Sequence, residues 1–108
     1  MDDQEFQTRA AAALEDLFKR LSASADEHDF EADFNAGALT VEFDDPPAKF
    51  VVSPNSPVHQ IWVSAHSRSF KLGWDEARAA FVLPESGKTL AQMMGEAVGQ
   101  QLGEQVSL

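Results

Sequence analysis

Apolar residues near the start of the chain recur at three- and four-residue spacing: Phe6, Ala10, Ala13, Leu14, Leu17 and Leu21. That spacing predicts an amphipathic helix over residues 3–21, with one stripe turned to a core. Phe18 lies at the margin of the stripe, placed to help cover a sheet. Asp2 and Glu5 have the spacing of a capping box. Glu5–Arg9, Glu15–Lys19 and Asp16–Arg20 are acid-first pairs four residues apart, each adding about 0.2–0.5 kcal/mol. Ser22 to Asp29 then reads as a polar connection.

The period changes to two from Phe30 onward. Phe30, Ala32 and Phe34 alternate with Glu31 and Asp33, the pattern of a half-buried strand. Asn35-Ala36-Gly37 is a turn signal, because Asn and Gly tolerate positive φ. Leu39, Val41 and Phe43 continue the alternation and complete a hairpin. Asp44-Asp45-Pro46-Pro47 interrupts the ladder, and a third strand follows over Lys49–Ser53. Pro54-Asn55-Ser56-Pro57 predicts a turn, and Val58–Ala65 a fourth strand. A turn over His66–Ser69 leads into a fifth strand marked by Phe70, Leu72 and Trp74. A loop over Asp75–Ala79 precedes a short sixth strand, Ala80–Leu83.

The helical period returns after Pro84-Glu85-Ser86-Gly87. Thr89 and Gln92 have capping-box spacing, and Leu90, Met93, Met94, Ala97, Val98 and Leu102 form the stripe of a second helix. Gly95 and Gly99 weaken that helix by about 1 kcal/mol each relative to Ala, so packing must compensate. Gly103 is placed to end it. Val106 and Leu108 are expected to tuck under the sheet. Segregated elements of this kind predict an α+β fold, with two helices on one face of a mainly antiparallel six-stranded sheet, order α-β-β-β-β-β-β-α. The 108 residues are read as one domain.

Charge changes the picture more than composition does. Net charge is −10, and residues 1–45 hold 13 Asp and Glu against 3 Lys and Arg, so all of it lies in the first half. Nucleic acid is an unsuitable partner, since a phosphate backbone needs a basic footprint. Cations and basic protein surfaces are favoured. Cysteine is absent, which excludes thiolate metal sites, disulfides and cysteine nucleophiles. No apolar run approaches the length of a membrane span, and the acidic N-terminus does not resemble a signal or transit peptide, so no membrane partner and a cytoplasmic location are expected.

Two stretches carry candidate chemistry. If Ile61 and Val63 face the helices, parity sends Val58, Gln60 and Trp62 to the open face of the sheet. Trp62 there either packs on its neighbours or anchors a protein contact. His59 shares the inward parity and reads as a structural or strand-edge histidine. The second stretch is Asp26, Glu27, Asp29, Glu31 and Asp33, around His28. Carboxylate oxygens suit hard cations such as Mg, Ca, Mn or Fe, but the same residues also serve as a solvated edge. Glu31 and Asp33 project from one face of their strand about 7 Å apart, too far for one tight cage. There is no Gly-rich phosphate loop, nucleophile elbow or Glu-x-x-His pair.

Three segments resemble bacterial frataxins, the CyaY family. Asn35-Ala36-Gly37-Ala38-Leu39-Thr40 is similar to that family's Asn-Gly-Gly-Val-Leu-Thr hairpin. Pro57-Val58-His59-Gln60-Ile61-Trp62 is similar to its Pro-Leu-His-Gln-Val-Trp strand, and Ser86-Gly87-Lys88-Thr89-Leu90 to its Ser-Gly-Glu-Thr helix opening. The resemblance implies a two-helix, single-sheet sandwich that is not an enzyme. It implies weak binding of Fe(II) and Fe(III) on a surface acidic ridge, with no permanent cofactor. It also implies contact with a cysteine desulfurase and the iron–sulfur scaffold protein. Asp3, Glu5, Glu27, Asp29, Glu31 and Asp33 occupy acidic positions of the family. The chain departs from the pattern at Phe18, Lys19, Ser22, Ala23 and Ala25, where the family usually has acids. That moves the expected iron site toward Asp26–Asp33, with Asp3 and Glu5 as a separate patch. The implied partner contacts are Gln60, Trp62, Glu15, Asp16 and Phe18. A monomer is expected, with metal-induced oligomers allowed. A ferroxidase or iron-storing oligomer, and an acidic binding module for an unrelated basic protein, are the competing readings.

Overall fold

A computed structural model describes residues 1–108. The first helix, α1, spans Asp3–Ala25 and buries Phe6, Ala10, Leu14, Leu17 and Leu21, the stripe the spacing predicts. It runs four residues past the expected end at Leu21. Ser22–Ala25 are small, Ala25 packs against the core, and the Ser24 carbonyl accepts from Glu27 and His28 N–H at 3.0 and 3.1 Å. Asp2 caps the other end, its carboxylate accepting from Glu5 N–H at 2.7 Å.

Six strands follow: β1 Glu31–Asn35, β2 Ala38–Asp44, β3 Pro47–Asn55, β4 Gln60–Ala65, β5 Arg68–Asp75 and β6 Ala80–Val82. They form one antiparallel sheet in chain order, β1 to β6. The second helix, α2, spans Leu90–Leu102. Its capping box is complete: Thr89 accepts from Gln92 N–H, and the Gln92 side chain accepts from Thr89 N–H. α1 packs across β1, β2 and β3, and α2 packs on β6, so both helices cover one face. Between layers lies a core that includes Phe50, Phe81, Leu39, Ile61, Leu72 and Met94, all at most 2 % exposed. Burying each such side chain stabilises by about 1.5–3 kcal/mol.

Several boundaries differ from the sequence expectations. Asp44 and Pro47, expected to interrupt the ladder, pair with each other across Asp45-Pro46, so β3 starts at Pro47 rather than Lys49, and β6 ends at Val82 rather than Leu83. β3 runs on through Pro54, which pairs with Ile61 of β4. β2 begins only at Ala38, so Pro54 has no neighbour on its other side to miss its N–H. Val58 and His59 lie outside β4. Ser56–Val58 forms a 3₁₀ turn opened by Pro57, and His59 follows in the left-handed region at φ 52°. β5 starts two residues earlier than expected, because pairing of Ala65 with Arg68 leaves only His66 and Ser67 for the turn. In the first hairpin Asn35 pairs with Ala38, so the positive-φ positions fall on Ala36 and Gly37 rather than on Asn35.

The C-terminal tail docks on α2 rather than under the sheet. Val106 is buried and Leu108 packs against the core margin. A Cβ at Gly95 would lie 3.1 Å from the Val106 carbonyl oxygen, and one at Gly99 would lie 2.6 Å from that of Glu104. The helix therefore carries glycines where the tail crosses it, and the lost helix propensity is offset by that contact.

Candidate functional site

The acidic stretch begins where α1 ends. Asp26, Glu27 and Asp29 are exposed, and the last turn of α1 holds no basic residue. The carbonyl end of a helix behaves as roughly half a negative charge, so carboxylates placed there deepen a negative potential and attract cations. Glu31 and Asp33 follow on the exposed side of β1. The register then brings in a residue that sequence spacing could not reveal. Glu42 of β2 lies directly opposite Glu31. Lys49 on β3 compensates it in part, with Nζ 4.0 Å from Oε1.

The end of the other helix adds a second unforeseen carboxylate. Glu104, 76 residues away in sequence, bonds His28 Nδ1. His28 thus ties the acidic loop to the C-terminal tail. No three carboxylate or histidine groups converge tightly enough to hold an ion. The donor set fits a hard cation by chemistry but offers only one or two protein oxygens at a time, with water completing the shell.

Asp3 and Glu5 stand apart from this cluster. A 23-residue helix separates them from Asp26, about 33 Å at 1.5 Å per residue. Both also have local work. Asp3 Oδ1 lies 2.6 Å from His59 Nε2, and the His59 ring stacks on Phe6 at 5.2 Å. Glu5 Oε2 is 3.7 Å from the Arg9 guanidinium. The structural role expected of His59 therefore holds, through a turn rather than through strand parity. Glu15 and Asp16 lie on the outer side of α1, with Lys19 at 3.7 Å and Arg20 at 2.7 Å respectively. Phe18 is half-buried, edge-on to Phe34 of β1 at 6.0 Å.

The open sheet face carries the other predicted pair. Gln60 and Trp62 point away from the helices, and Ile61 and Val63 are buried toward them. Trp62 is 38 % exposed, one of three large apolar side chains open to solvent. It is also held in place. Its Nε1–H donates to Gln60 Oε1 at 3.0 Å, and Lys71 Nζ lies 4.9 Å from the ring centroid. Neighbour packing and contact availability are thus both present at one residue. Trp74 contrasts with it, facing the helices beneath Arg9 and packing edge-on against Phe81.

Comparisons with known proteins agree with this architecture. A family model described as the frataxin-like domain matches residues 1–104. The iron-sulfur cluster assembly protein CyaY of Azotobacter vinelandii (strain DJ / ATCC BAA-1303) is 26 % identical over 95 residues, covering 86 % of each chain. The solved frataxin of Psychromonas ingrahamii, described as a model for stability modulation within the CyaY family, superposes with a TM-score of 0.77. That match covers 99 % of this chain and 97 % of the other at 23 % identity, and so speaks to the fold. No helix is long and apolar enough to cross a membrane. The six-stranded sheet under two helices and the family match along nearly the whole length lead to one assignment: the chain belongs to the frataxin-like family, as a bacterial frataxin of the CyaY type.

Proposed function

We propose that this protein is a non-catalytic, cytoplasmic adaptor of iron–sulfur cluster assembly. It binds Fe(II) and Fe(III) weakly on the carboxylates of residues 26–33. It meets a cysteine desulfurase with its acidic edge and the cluster scaffold with the Gln60/Trp62 face. The observation that carries this reading is the pairing of two features on one small fold: uncompensated carboxylates at the negative end of α1, and a fixed, exposed Trp62 on the open sheet. The name of the Azotobacter relative supports the process.

The physical roles follow from chemistry. Scattered carboxylates hold a hydrated hard cation loosely, so iron enters and leaves readily and other divalent ions compete. The one-signed edge steers a basic partner surface, an effect that weakens as salt shortens the Debye length to about 8 Å at physiological ionic strength. Trp62 supplies a desolvated anchor that salt does not screen.

NMR titration of the ¹⁵N-labelled protein tests the reading. Iron should perturb or broaden the amides of residues 26–33 and Glu42, and the desulfurase should perturb the same edge. Reversing Glu27, Asp29 and Glu31 to Lys should abolish desulfurase binding, and Trp62→Ala should weaken scaffold binding. Unchanged binding in both variants sinks the adaptor reading. Sustained Fe(II) oxidation lost with a few carboxylates would replace it with a ferroxidase.

A further inference from the structure

α1 packs across β1–β3 and α2 on β6, so the helical layer has a seam between them. A trough of about 440 Å³ runs along that seam, within the roughly 300–1,000 Å³ range of small-molecule sites. Its floor is Trp74 of β5 and Phe81 of β6, packed edge-on beneath the helices. One wall is the face of α1 that carries Arg9, Ala13, Leu17 and Arg20. Arg9 to Arg20 spans about 16 Å at 1.5 Å per residue, so the trough is long rather than round. The start of α2, at Leu90 and Ala91, forms the opposite wall. Small side chains at Ala13 and Ala91 leave the width between the walls unfilled.

The donors at one end of the trough select its ligand. Arg9 holds its guanidinium over the Trp74 ring, 4.6 Å from the centroid. Its carboxylate neighbours, Glu5 and Glu76, lie 3.7 and 3.6 Å away, beyond hydrogen-bond distance. They reduce its charge but leave its fork of N–H donors unfilled. In the ring it covers, Nε1–H of Trp74 is buried and has no acceptor in the protein. Buried donors are normally paired, so this one is short of an oxygen. α2 begins across the trough with no acid in its first turn, and its positive end adds to the preference for an anion. The far end differs. Arg20 is already engaged there by Asp16, with Nε 2.7 Å from Oδ2. Between the two ends the side chains of Ala13 and Leu17 present only hydrocarbon.

We propose that this trough binds a medium-chain fatty acid, its carboxylate on the Arg9 guanidinium and its alkyl chain laid along α1 over Phe81 toward Leu17. The occupant carries one carboxylate because the Arg20 end is already paired at hydrogen-bond distance. It is linear and apolar beyond the head because the walls run along the helix axis and offer it carbon. One carboxylate oxygen accepts from Arg9, and the other accepts from Trp74 Nε1–H once the guanidinium moves off the ring. The site lies on the helical side of the sheet, away from Gln60 and Trp62, and does not depend on the partner surface.

The test titrates the full chain with decanoate, below the concentration at which it forms micelles, by calorimetry and ¹⁵N NMR. The chain has two tryptophans, so two indole N–H resonances report the two faces of the sheet. That of Trp74 should shift and that of Trp62 should not, with Trp62→Phe assigning them. Octanoate should bind about tenfold more weakly, because two fewer methylenes are buried. Decanol in place of decanoate, or Arg9→Gln, should weaken binding at least tenfold. Ala12→Leu, which fills the trough from the exposed side of α1, should do the same without lowering the thermal midpoint. If its midpoint falls, Arg9→Gln decides alone. Glu15→Gln, on the outer side of α1, should bind within twofold of wild type. No saturable binding at millimolar decanoate overturns the proposal, as does a shift confined to the Trp62 resonance. Decanol binding as tightly as decanoate, or Arg9→Gln binding within twofold, also overturns it. A dimer seen by sedimentation without decanoate, and dissociated by Ala12→Leu, gives the trough to a second copy and overturns it too.

Discussion

Gly99→Ala should destabilise the protein although it replaces a helix-interior glycine by the best helix former. In an isolated helix the change gains about 1 kcal/mol. Here the new Cβ would lie 2.6 Å from the Glu104 carbonyl oxygen and 3.4 Å from Val106 N, both backbone atoms of the docked tail. Real Cβ atoms do not sit that close, and α2 is anchored by its buried stripe, so the tail must move. Lifting it exposes Val106, now 9 % exposed, at a cost of about 1.5–3 kcal/mol. It also strains the Glu104–His28 contact. The net loss is about 0.5–2 kcal/mol, or a thermal midpoint lower by roughly 2–12 °C for a chain of this size. The same substitution in a chain ending at Gly103 should reverse sign and stabilise by about 1 kcal/mol, because only the propensity term remains. Urea unfolding of the four chains in that cycle measures both numbers. A stabilised Gly99→Ala in the full chain, or no sign reversal on truncation, would refute the reasoning.

Ala36→Asn should stabilise by about 0.5–1 kcal/mol in denaturant melts, since Ala36 holds φ 55° in a two-residue turn before Gly37 and Asn tolerates that region better. Thr89→Ala should cost about 1 kcal/mol by removing the bond to Gln92 N–H, with the loss seen as faster hydrogen exchange in the first turn of α2. Association with the desulfurase, followed by stopped flow, should slow several-fold as salt rises from about 50 to 200 mM, and the Glu27/Asp29/Glu31 reversal should remove that dependence.

The order of elements, the core stripes and the Thr89/Gln92 cap were legible in the sequence because each is a local pattern. A helix stripe needs only a 3.6-residue period, a half-buried strand only a period of two, and a capping box only four consecutive residues. Phe6, Leu14, Ile61 and Leu72 are buried as those periods require. The exposure of Gln60 and Trp62 also followed, once the helices were assigned to one face. Boundaries were less legible where a residue's fit depends on a neighbour outside its own segment. Pro54 stays in β3 because β2 has already ended beside it. His59 turns inward because Phe6 and Asp3 of α1 lie over the turn.

Sequence alone thus determined an acidic first half, a Cys-free α+β chain and an outward-facing Trp62, since charge, composition and parity are properties of the linear pattern. Tertiary structure decided what those features meet. Strand register set Glu42 beside Glu31, and the docked tail carried Glu104 to His28. The same tail gave Gly95 and Gly99 a reason to be glycines. The physical reason is common to all of these. Each is a contact between positions far apart in sequence, and its geometry exists only once the sheet has paired and the helices have packed.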